Sequence, residues 1–188
     1  MPDEVEVKFL VSDPDALERK LRELGFRQKT ASTFERNTLY DSGAKLRAKG
    51  EILRLRQYGE KWKLTHKAKG TDGRHKTRAE SETSVANGEQ TDAILRALGF
   101  APSFVYEKYR AEWADDQGEV VVDRTPIGNL AELEGKPDWI DAIAKKLGIA
   151  DTQYITKSYG QLFEDWRNRT GSKARNMTFE EVKEASSR

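Results

Sequence analysis

Residues 4–9 read Glu-Val-Glu-Val-Lys-Phe, so that charged and apolar side chains alternate at every position. Successive side chains of a β-strand point to opposite faces, and this stretch therefore predicts a strand with Glu4, Glu6 and Lys8 on one face. The next segments with strand character are residues 33–40, 52–56, 62–67, 78–85, 106–112, 120–123 and 130–134. The sequence thus predicts about eight strands, most of them with one charged face.

The charged faces carry pairs of like charge two residues apart. Any single row fits an antiparallel sheet with one solvated face. Paired carboxylates repel each other, however, and are better explained if they converge on a divalent cation, while paired bases need an anion. We therefore predict an α+β fold in which an eight-stranded antiparallel β-barrel encloses the charged rows and helices cover its apolar outside. The pairs are Glu4/Glu6, Glu80/Glu82, Glu132/Glu134, Arg54/Arg56 and Lys108/Arg110.

Helical spacing of apolar residues predicts helices at 14–24, 90–98 and 138–147, each ending in Leu-Gly and an apolar residue. That ending is typical of a glycine cap in the left-handed conformation. A fourth helix is expected from Ser158 to Arg169, with a short capped turn at 178–181. We predict a barrel domain over residues 1–169 and a C-terminal tail, 170–188, that is partly helical or disordered. The basic run 45–49 is expected to be a solvated loop.

The composition excludes several classes of function. The 188 residues include 33 Lys and Arg against 32 Asp and Glu, and no Cys. A net charge of +1 gives no basis for binding nucleic acid. Without Cys there is no disulfide, thiolate nucleophile or Cys-ligated zinc. No stretch approaches the ~20 apolar residues that span a bilayer, so we expect a cytoplasmic protein without a membrane partner.

The order of these motifs resembles the CYTH superfamily, the triphosphate tunnel metalloenzymes. The group includes class IV adenylate cyclases, inorganic tripolyphosphatases and thiamine triphosphatases. The resemblance covers about residues 3–166 and starts at Glu4-Val-Glu-Val-Lys8. It continues through Asn37-Thr-Leu-Tyr-Asp41, Leu53-Arg-Leu-Arg56, Lys63-Leu-Thr-His-Lys67, Arg78-Ala-Glu-Ser-Glu82, Lys108-Tyr-Arg110, Val122-Asp123, Gly128-Asn-Leu-Ala-Glu-Leu-Glu134 and Lys157-Ser-Tyr159.

The resemblance implies a set of site residues. Mg²⁺ or Mn²⁺ would be held by Glu4, Glu6, Glu132 and Glu134. Further catalytic candidates are Glu80, Glu82 and Asp123, which would complete the metal set or place the attacking water, and Tyr40, whose hydroxyl would touch phosphate or water. The triphosphate would be bound by Lys8, Arg54, Arg56, Lys63, Lys67, Arg78, Lys108, Arg110 and Lys157, with Lys8 also counted as catalytic.

The resemblance leaves three activities open. The first is metal-dependent hydrolysis of a triphosphate, foremost inorganic tripolyphosphate, with nucleoside or thiamine triphosphate as other substrates. Thiamine triphosphate is disfavoured, because Ile52 stands where the mammalian thiamine triphosphatases have Trp. The second is a class IV adenylate cyclase, a lyase that converts ATP to cyclic AMP and pyrophosphate. The third is a non-catalytic polyphosphate-binding module. The resemblance allows a monomer or a homodimer.

Overall fold

The computed structural model describes residues 3–70 and 76–186. Its strands are β1 (Asp3–Leu10), β2 (Arg27–Asp41), β3 (Ile52–Tyr58), β4 (Lys61–Lys67), β5 (Lys76–Val85), β6 (Ala101–Ala114), β7 (Gly118–Thr125) and β8 (Gly128–Gly135). Its helices are α1 (Pro14–Glu23), α2 (Lys45–Lys49), α3 (Gly88–Ala97), α4 (Pro137–Leu147), α5 (Tyr159–Thr170) and α6 (Phe179–Ser186), with a 3₁₀ turn at Asp151–Gln153. None of the helices in this part of the chain is long and apolar enough to cross a membrane.

The strands close into an antiparallel barrel in the order β1-β5-β4-β3-β2-β6-β7-β8. Closure is achieved because β1 pairs with β5 on one side and with β8 on the other. The predicted α+β fold, with an eight-stranded barrel and outer helices, is confirmed. The register sets lumen-facing residues opposite each other, as in the pairs Lys8–Glu132 and Glu6–Glu134.

The apolar residues of the alternating strands face outward and form the main core. Val7 and Phe9 of β1 are buried there, with Val122 of β7 and Leu133 of β8, beneath α1 and α4. Ile140 of α4 is fully buried in this cluster. The barrel is therefore apolar outside, under its helices, and charged inside, as the sequence predicted.

Two smaller clusters complete the outside of the barrel. One places α3 over β2 and β3 through Tyr40, Leu55 and Leu95. The other places α5 and α6 over β6 and includes the buried Phe163 and Met177. The three clusters thus cover three different sectors of the barrel wall.

Glycine caps end α1 and α3 as predicted. Gly25 and Gly99 have φ values of 87° and 86°, a conformation that only glycine adopts without strain. The next residue, Phe26 or Phe100, then donates its N–H back into the last turn at 3.0 Å. The chain therefore reverses directly into β2 and β6.

The C-terminal segment packs against the barrel. Met177 donates its N–H to the carbonyl of Val105 and accepts from the N–H of Glu107, both at 3.0 Å. These contacts cover the part of β6 that β7 does not reach, since β6–β7 pairing starts only at Tyr109. The tail therefore contributes to the barrel wall through Met177 and forms α6.

The basic run was predicted as a loop, and this was wrong. Residues Lys45–Lys49 form the short helix α2. The carboxylate of Asp41 accepts the backbone N–H groups of Leu46 and Arg47, which stabilises this turn. The three basic side chains remain exposed, as a solvated segment requires.

Candidate active site

The barrel encloses a cavity of about 620 Å³. It is lined by twelve of the residues proposed from the sequence: Glu6, Lys8, Arg54, Arg56, Lys63, Lys67, Glu80, Glu82, Lys108, Arg110, Glu132 and Glu134. Glu4 and Arg78 are paired in register between β1 and β5, but their side chains lie outside the described part of the structure. The strands therefore gather acids and bases from six separate segments into one lumen.

Lys108 and Arg110 are held by one fully buried carboxylate, Asp123. Lys108 Nζ lies 3.0 Å from Asp123 Oδ2, and Arg110 donates Nε and Nη2 to the two carboxylate oxygens at 2.7 and 2.6 Å. Tyr159 donates its hydroxyl to Oδ2 at 2.5 Å. Asp123 is thus surrounded by four hydrogen bonds and does not line the cavity.

Glu35 of β2 is a second buried carboxylate beneath the bases, and sequence reasoning missed it. Its side chain is 1% exposed, and its oxygens lie 2.5 Å from Arg56 Nη2 and 3.5 Å from Lys108 Nζ. Burial alone would raise the pKa of Glu35, but Lys108, Arg110 and Arg56 outweigh it and lower the pKa below the ordinary 4.5. Its signal in the sequence was its position: Glu35 stands two residues before Asn37, the first residue of the Asn37–Asp41 motif, and therefore on the same face of the strand.

Lys8 joins two of the proposed metal ligands. Its Nζ is 2.8 Å from Glu6 Oε1 and 3.4 Å from Glu132 Oε1, and Arg110 also contacts Glu132 at 2.8 Å. Burial acts to lower the pKa of Lys8, but Glu132 and Glu6 raise it above its ordinary value. Burial acts to raise the pKa of Glu132, but Arg110 and Lys8 hold it well below the ordinary value. Both groups are therefore charged and paired at neutral pH.

The opposite wall, β3 to β5, repeats this arrangement. Lys67 Nζ lies 2.6 Å from Glu80 Oε2, and Arg54 Nη2 lies 3.6 Å from Glu82 Oε2. Lys63 also bonds to Glu82. Burial would raise the pKa of Glu82, but the hydrogen bond from Lys63 lowers it below its ordinary value. Glu82 is therefore ionised at neutral pH.

Two buried donors point to an anionic ligand. Within the described part of the chain, the Nε atoms of Arg54 and Arg56 are buried and have no hydrogen-bond partner. An unsatisfied buried donor costs about 1–3 kcal/mol. Oxygens of a phosphate would satisfy both donors, because guanidinium groups match phosphate geometry.

One row of lumen carboxylates offers the oxygen ligands that a divalent cation prefers. Glu6, Glu134 and Glu119 are cross-strand neighbours on β1, β8 and β7 and all line the lumen, although Glu119 was not proposed from the sequence. Like charges placed directly opposite repel each other, and here Lys8 and Lys29 compensate Glu6 and Glu119 at 2.8 and 2.5 Å. No three potential ligands in the described residues converge on one ion, and the side chain of Glu4 is not among them. Mg²⁺ commonly takes one or two carboxylates and completes its shell with phosphate and water.

Three proposed site residues lie elsewhere, and their placement corrects the sequence expectation. Tyr40 points outward, is 3% exposed, and donates its hydroxyl to Asp92 of α3. It lies on the apolar face of β2 because the inward positions of that strand are the odd-numbered ones, including Glu35. Lys157 pairs with Asp165 at 2.6 Å on the surface instead of lining the lumen. Asp123 is enclosed by its donors and lies behind the lumen wall, away from the position expected of a residue that binds metal or places a water.

A closed eight-stranded barrel that surrounds buried bases and paired carboxylates defines the class of triphosphate tunnel metalloenzymes, which are metal-dependent enzymes. The chain belongs to the CYTH domain family, which matches residues 2–159.

One curated protein and two solved structures are similar to this chain over most of its length. A protein of Methanocaldococcus jannaschii named "Putative adenylate cyclase" is 28% identical over 172 residues, which cover 85% of this chain and 97% of that protein. The solved structure of the PH1012 protein of Pyrococcus horikoshii superimposes with a TM-score of 0.73 at 22% identity, covering 85% of this chain and 98% of that one. A "Putative adenylyl cyclase" of Hippeastrum gives 0.65 at 17% identity, covering 88% and 96%. The two structures share this fold.

Proposed function

We propose that this chain hydrolyses inorganic tripolyphosphate in its lumen with the help of Mg²⁺ or Mn²⁺. The observation that carries the proposal is the character of the lining. It offers many charges to phosphate and metal, but its aromatic rings are already engaged with one another.

The aromatic residues among the described lining are Tyr106 and Tyr159. Their rings stack on each other with centroids 5.4 Å apart and planes at 17°. Tyr106 also stacks on Phe104 at 5.8 Å. Both tyrosines are 7% exposed, which leaves little ring face for an adenine or a thiamine. Tripolyphosphate needs no such platform.

Hydrolysis in this lumen depends mainly on positioning and charge. Arg54, Arg56 and Lys67 would bind the oxygens of the reacting phosphoryl group and neutralise the charge that develops there. Glu80 and Glu82, which both line the lumen, would orient a water and accept its proton. The water oxygen forms the new bond to a terminal phosphorus, the bridging P–O bond breaks, and phosphate and pyrophosphate leave.

The row that contains Glu6 and Glu134 would hold the divalent ion, which supplies charge neutralisation and activation of water in such reactions. Some of the other carboxylates serve the bases instead. Glu132 is paired with Lys8 and Arg110, so its part is to fix these cations at the lumen wall.

An adenylate cyclase is the second candidate, and one observation favours it. The relative from M. jannaschii carries that name and aligns over 97% of its length. In a cyclase the ribose 3′-oxygen attacks the α-phosphorus and pyrophosphate leaves. The apolar lining residues Leu39, Ile52 and Val121 would then contact the nucleoside. The Hippeastrum relative, described as having "a dominant triphophatase activity", supports the hydrolase.

The test is a set of parallel incubations with tripolyphosphate, ATP and thiamine triphosphate, each with Mg²⁺, Mn²⁺ or EDTA. Phosphate, pyrophosphate and cyclic AMP are measured in every tube. Metal-dependent release of phosphate, fastest from tripolyphosphate, is the expected result. Cyclic AMP with an equal amount of pyrophosphate would establish the cyclase instead. Binding without turnover in any tube would indicate a polyphosphate-binding module.

Two lysines provide a matched pair of variants. Lys67 and Lys157 each form an ion pair with a carboxylate at 2.6 Å, but only Lys67 lines the lumen. Lys67→Met should lower kcat/KM for tripolyphosphate by about 10²-fold or more, as loss of a group that stabilises transition-state charge does. Lys157→Met should change it less than about twofold, because exposed ion pairs contribute little. Equal effects would contradict the assignment of the lumen as the site.

A further inference from the structure

Tyr159, the first residue of α5, connects an outer helix to the bases of the lumen. Its hydroxyl reaches Asp123 Oδ2, the same oxygen that accepts from Lys108 Nζ and Arg110 Nη2. Its ring lies beneath two ammonium groups, with Lys108 Nζ 4.4 Å and Lys8 Nζ 5.7 Å from the centroid. One side chain therefore contacts, directly or through one carboxylate, three of the proposed phosphate-binding bases.

These bases have other carboxylates within reach. Lys108 lies 3.5 Å from Glu35, and Arg110 lies 2.8 Å from Glu132. Their direction therefore depends on how strongly Asp123 attracts them. A neutral donor on Asp123 Oδ2 disperses part of its charge and fixes the orientation of the carboxylate.

The surroundings of Tyr159 keep it rigid and protonated. Its ring stacks on Tyr106, and the side chain of Ser158 caps α5 by accepting the N–H of Gln161. Burial, with the charges of Asp123 and Glu132, raises the pKa of Tyr159 well above its ordinary 10.0. The hydroxyl is therefore protonated and a donor at neutral pH.

We propose that Tyr159 is a positioning residue, which orients Lys108 and Arg110 for the triphosphate through its hydrogen bond to Asp123. The inference takes its ligand, tripolyphosphate, from the proposed function. It applies to the binding of that ligand as well as to its hydrolysis. Without the hydroxyl, Asp123 attracts the two bases more strongly and competes with the phosphate oxygens for them. A lost hydrogen bond to a charged group corresponds to about a tenfold to hundredfold effect.

The experiment compares Tyr159→Phe with Tyr154→Phe. Tyr154 also donates its hydroxyl to a carboxylate, Asp141 Oδ1 at 3.0 Å, but outside the lumen. Both variants keep the ring and lose the hydrogen bond from the hydroxyl to an aspartate. Three quantities are measured for each: the urea unfolding midpoint, the Kd for tripolyphosphate in EDTA by calorimetry, and kcat and KM with Mg²⁺.

We expect Tyr159→Phe to raise the Kd about tenfold and to lower kcat/KM by at least as much, while Tyr154→Phe changes both less than twofold. A purely structural role would lower the unfolding midpoint of Tyr159→Phe and leave the Kd of the folded protein unchanged, which would overturn the proposal. If the wild type binds tripolyphosphate without hydrolysing it, the hydrolase assignment fails, and the Kd comparison alone decides the role of Tyr159.

A double-mutant cycle with Asp123→Asn tests the route of the effect. If Tyr159 acts through Asp123, the Tyr159→Phe change should add less than about twofold in Kd in the Asp123→Asn background. A full tenfold change in that background would contradict action through Asp123. Should Asp123→Asn not fold, the comparison with Tyr154→Phe still decides between a positioning and a structural role.

Discussion

Replacement of Glu35 by Gln should destabilise the empty barrel and strengthen its affinity for an anion. Glu35 is 1% exposed and lies 2.5 Å from Arg56 Nη2. Removal of one partner from a buried ion pair costs about 3–5 kcal/mol. Lys108 and Arg110 keep their contacts with Asp123, at 3.0 and 2.6 Å, so it is mainly Arg56 that loses its partner. We therefore expect the free energy of unfolding to fall by about 3 kcal/mol.

The anion should recover part of that loss. Bound tripolyphosphate at 100 times its Kd stabilises a protein by about 2.7 kcal/mol. The increment should be larger in Glu35→Gln, because the lumen has lost one negative charge while its bases remain. The assay is urea unfolding in EDTA, with and without a fixed concentration of tripolyphosphate.

Glu107→Gln is the matched control for this prediction. Glu107 is also a buried strand glutamate that pairs with an arginine, Arg36, but on the outside of the barrel. The Glu107→Gln variant should be less stable than the wild type, but tripolyphosphate should stabilise it by the same increment as the wild type. The reasoning is refuted if Glu35→Gln loses less than about 1 kcal/mol, the value typical of an exposed pair, or if its anion increment is no larger than that of Glu107→Gln.

Three further predictions concern acid pH, Tyr40 and Met177. The pKa values of Glu35 and Glu132 lie below the ordinary 4.5, so their contribution to stability is complete above that pH and is lost as the pH falls below it. The urea unfolding midpoint should therefore drop steeply on acidification. It should show no such drop between pH 6 and 8. Tyr40→Phe should leave kcat and KM for tripolyphosphate unchanged and lower the free energy of unfolding by about 1 kcal/mol, because one hydrogen bond to Asp92 is lost. A loss of activity in the folded variant would show that Tyr40 takes part in the reaction after all. Met177→Ala should lower the free energy of unfolding by about 2–5 kcal/mol, measured by calorimetric melting, because the side chain is fully buried against β6. A smaller change would show that the C-terminal segment does not stabilise the barrel.

Much of the lumen could be predicted from the sequence because strand alternation is local. Within one strand, a single charged residue fixes which neighbours share its face, and this placed Lys8, Arg54 and Glu132 correctly. Tyr40 was misplaced, although Asn37 and Asp41 occupy the odd-numbered positions of their segment and so put Tyr40 on the other face. Glu35 has the same phase, and its hydrogen bond with Asn37 lies on the lumen face.

The sequence by itself determined the eight strands, their charged faces and the helices with their glycine caps, because each depends on neighbours in the chain. Only the tertiary structure decided which charges meet. Asp123 and Tyr159 are 36 residues apart, and Glu35 reaches bases on both β3 and β6. Such contacts follow from strand register and barrel closure, which depend on how the outer apolar faces pack beneath their helices. For that reason Asp123, expected to hold metal or place a water, lies buried as the carboxylate that holds the bases.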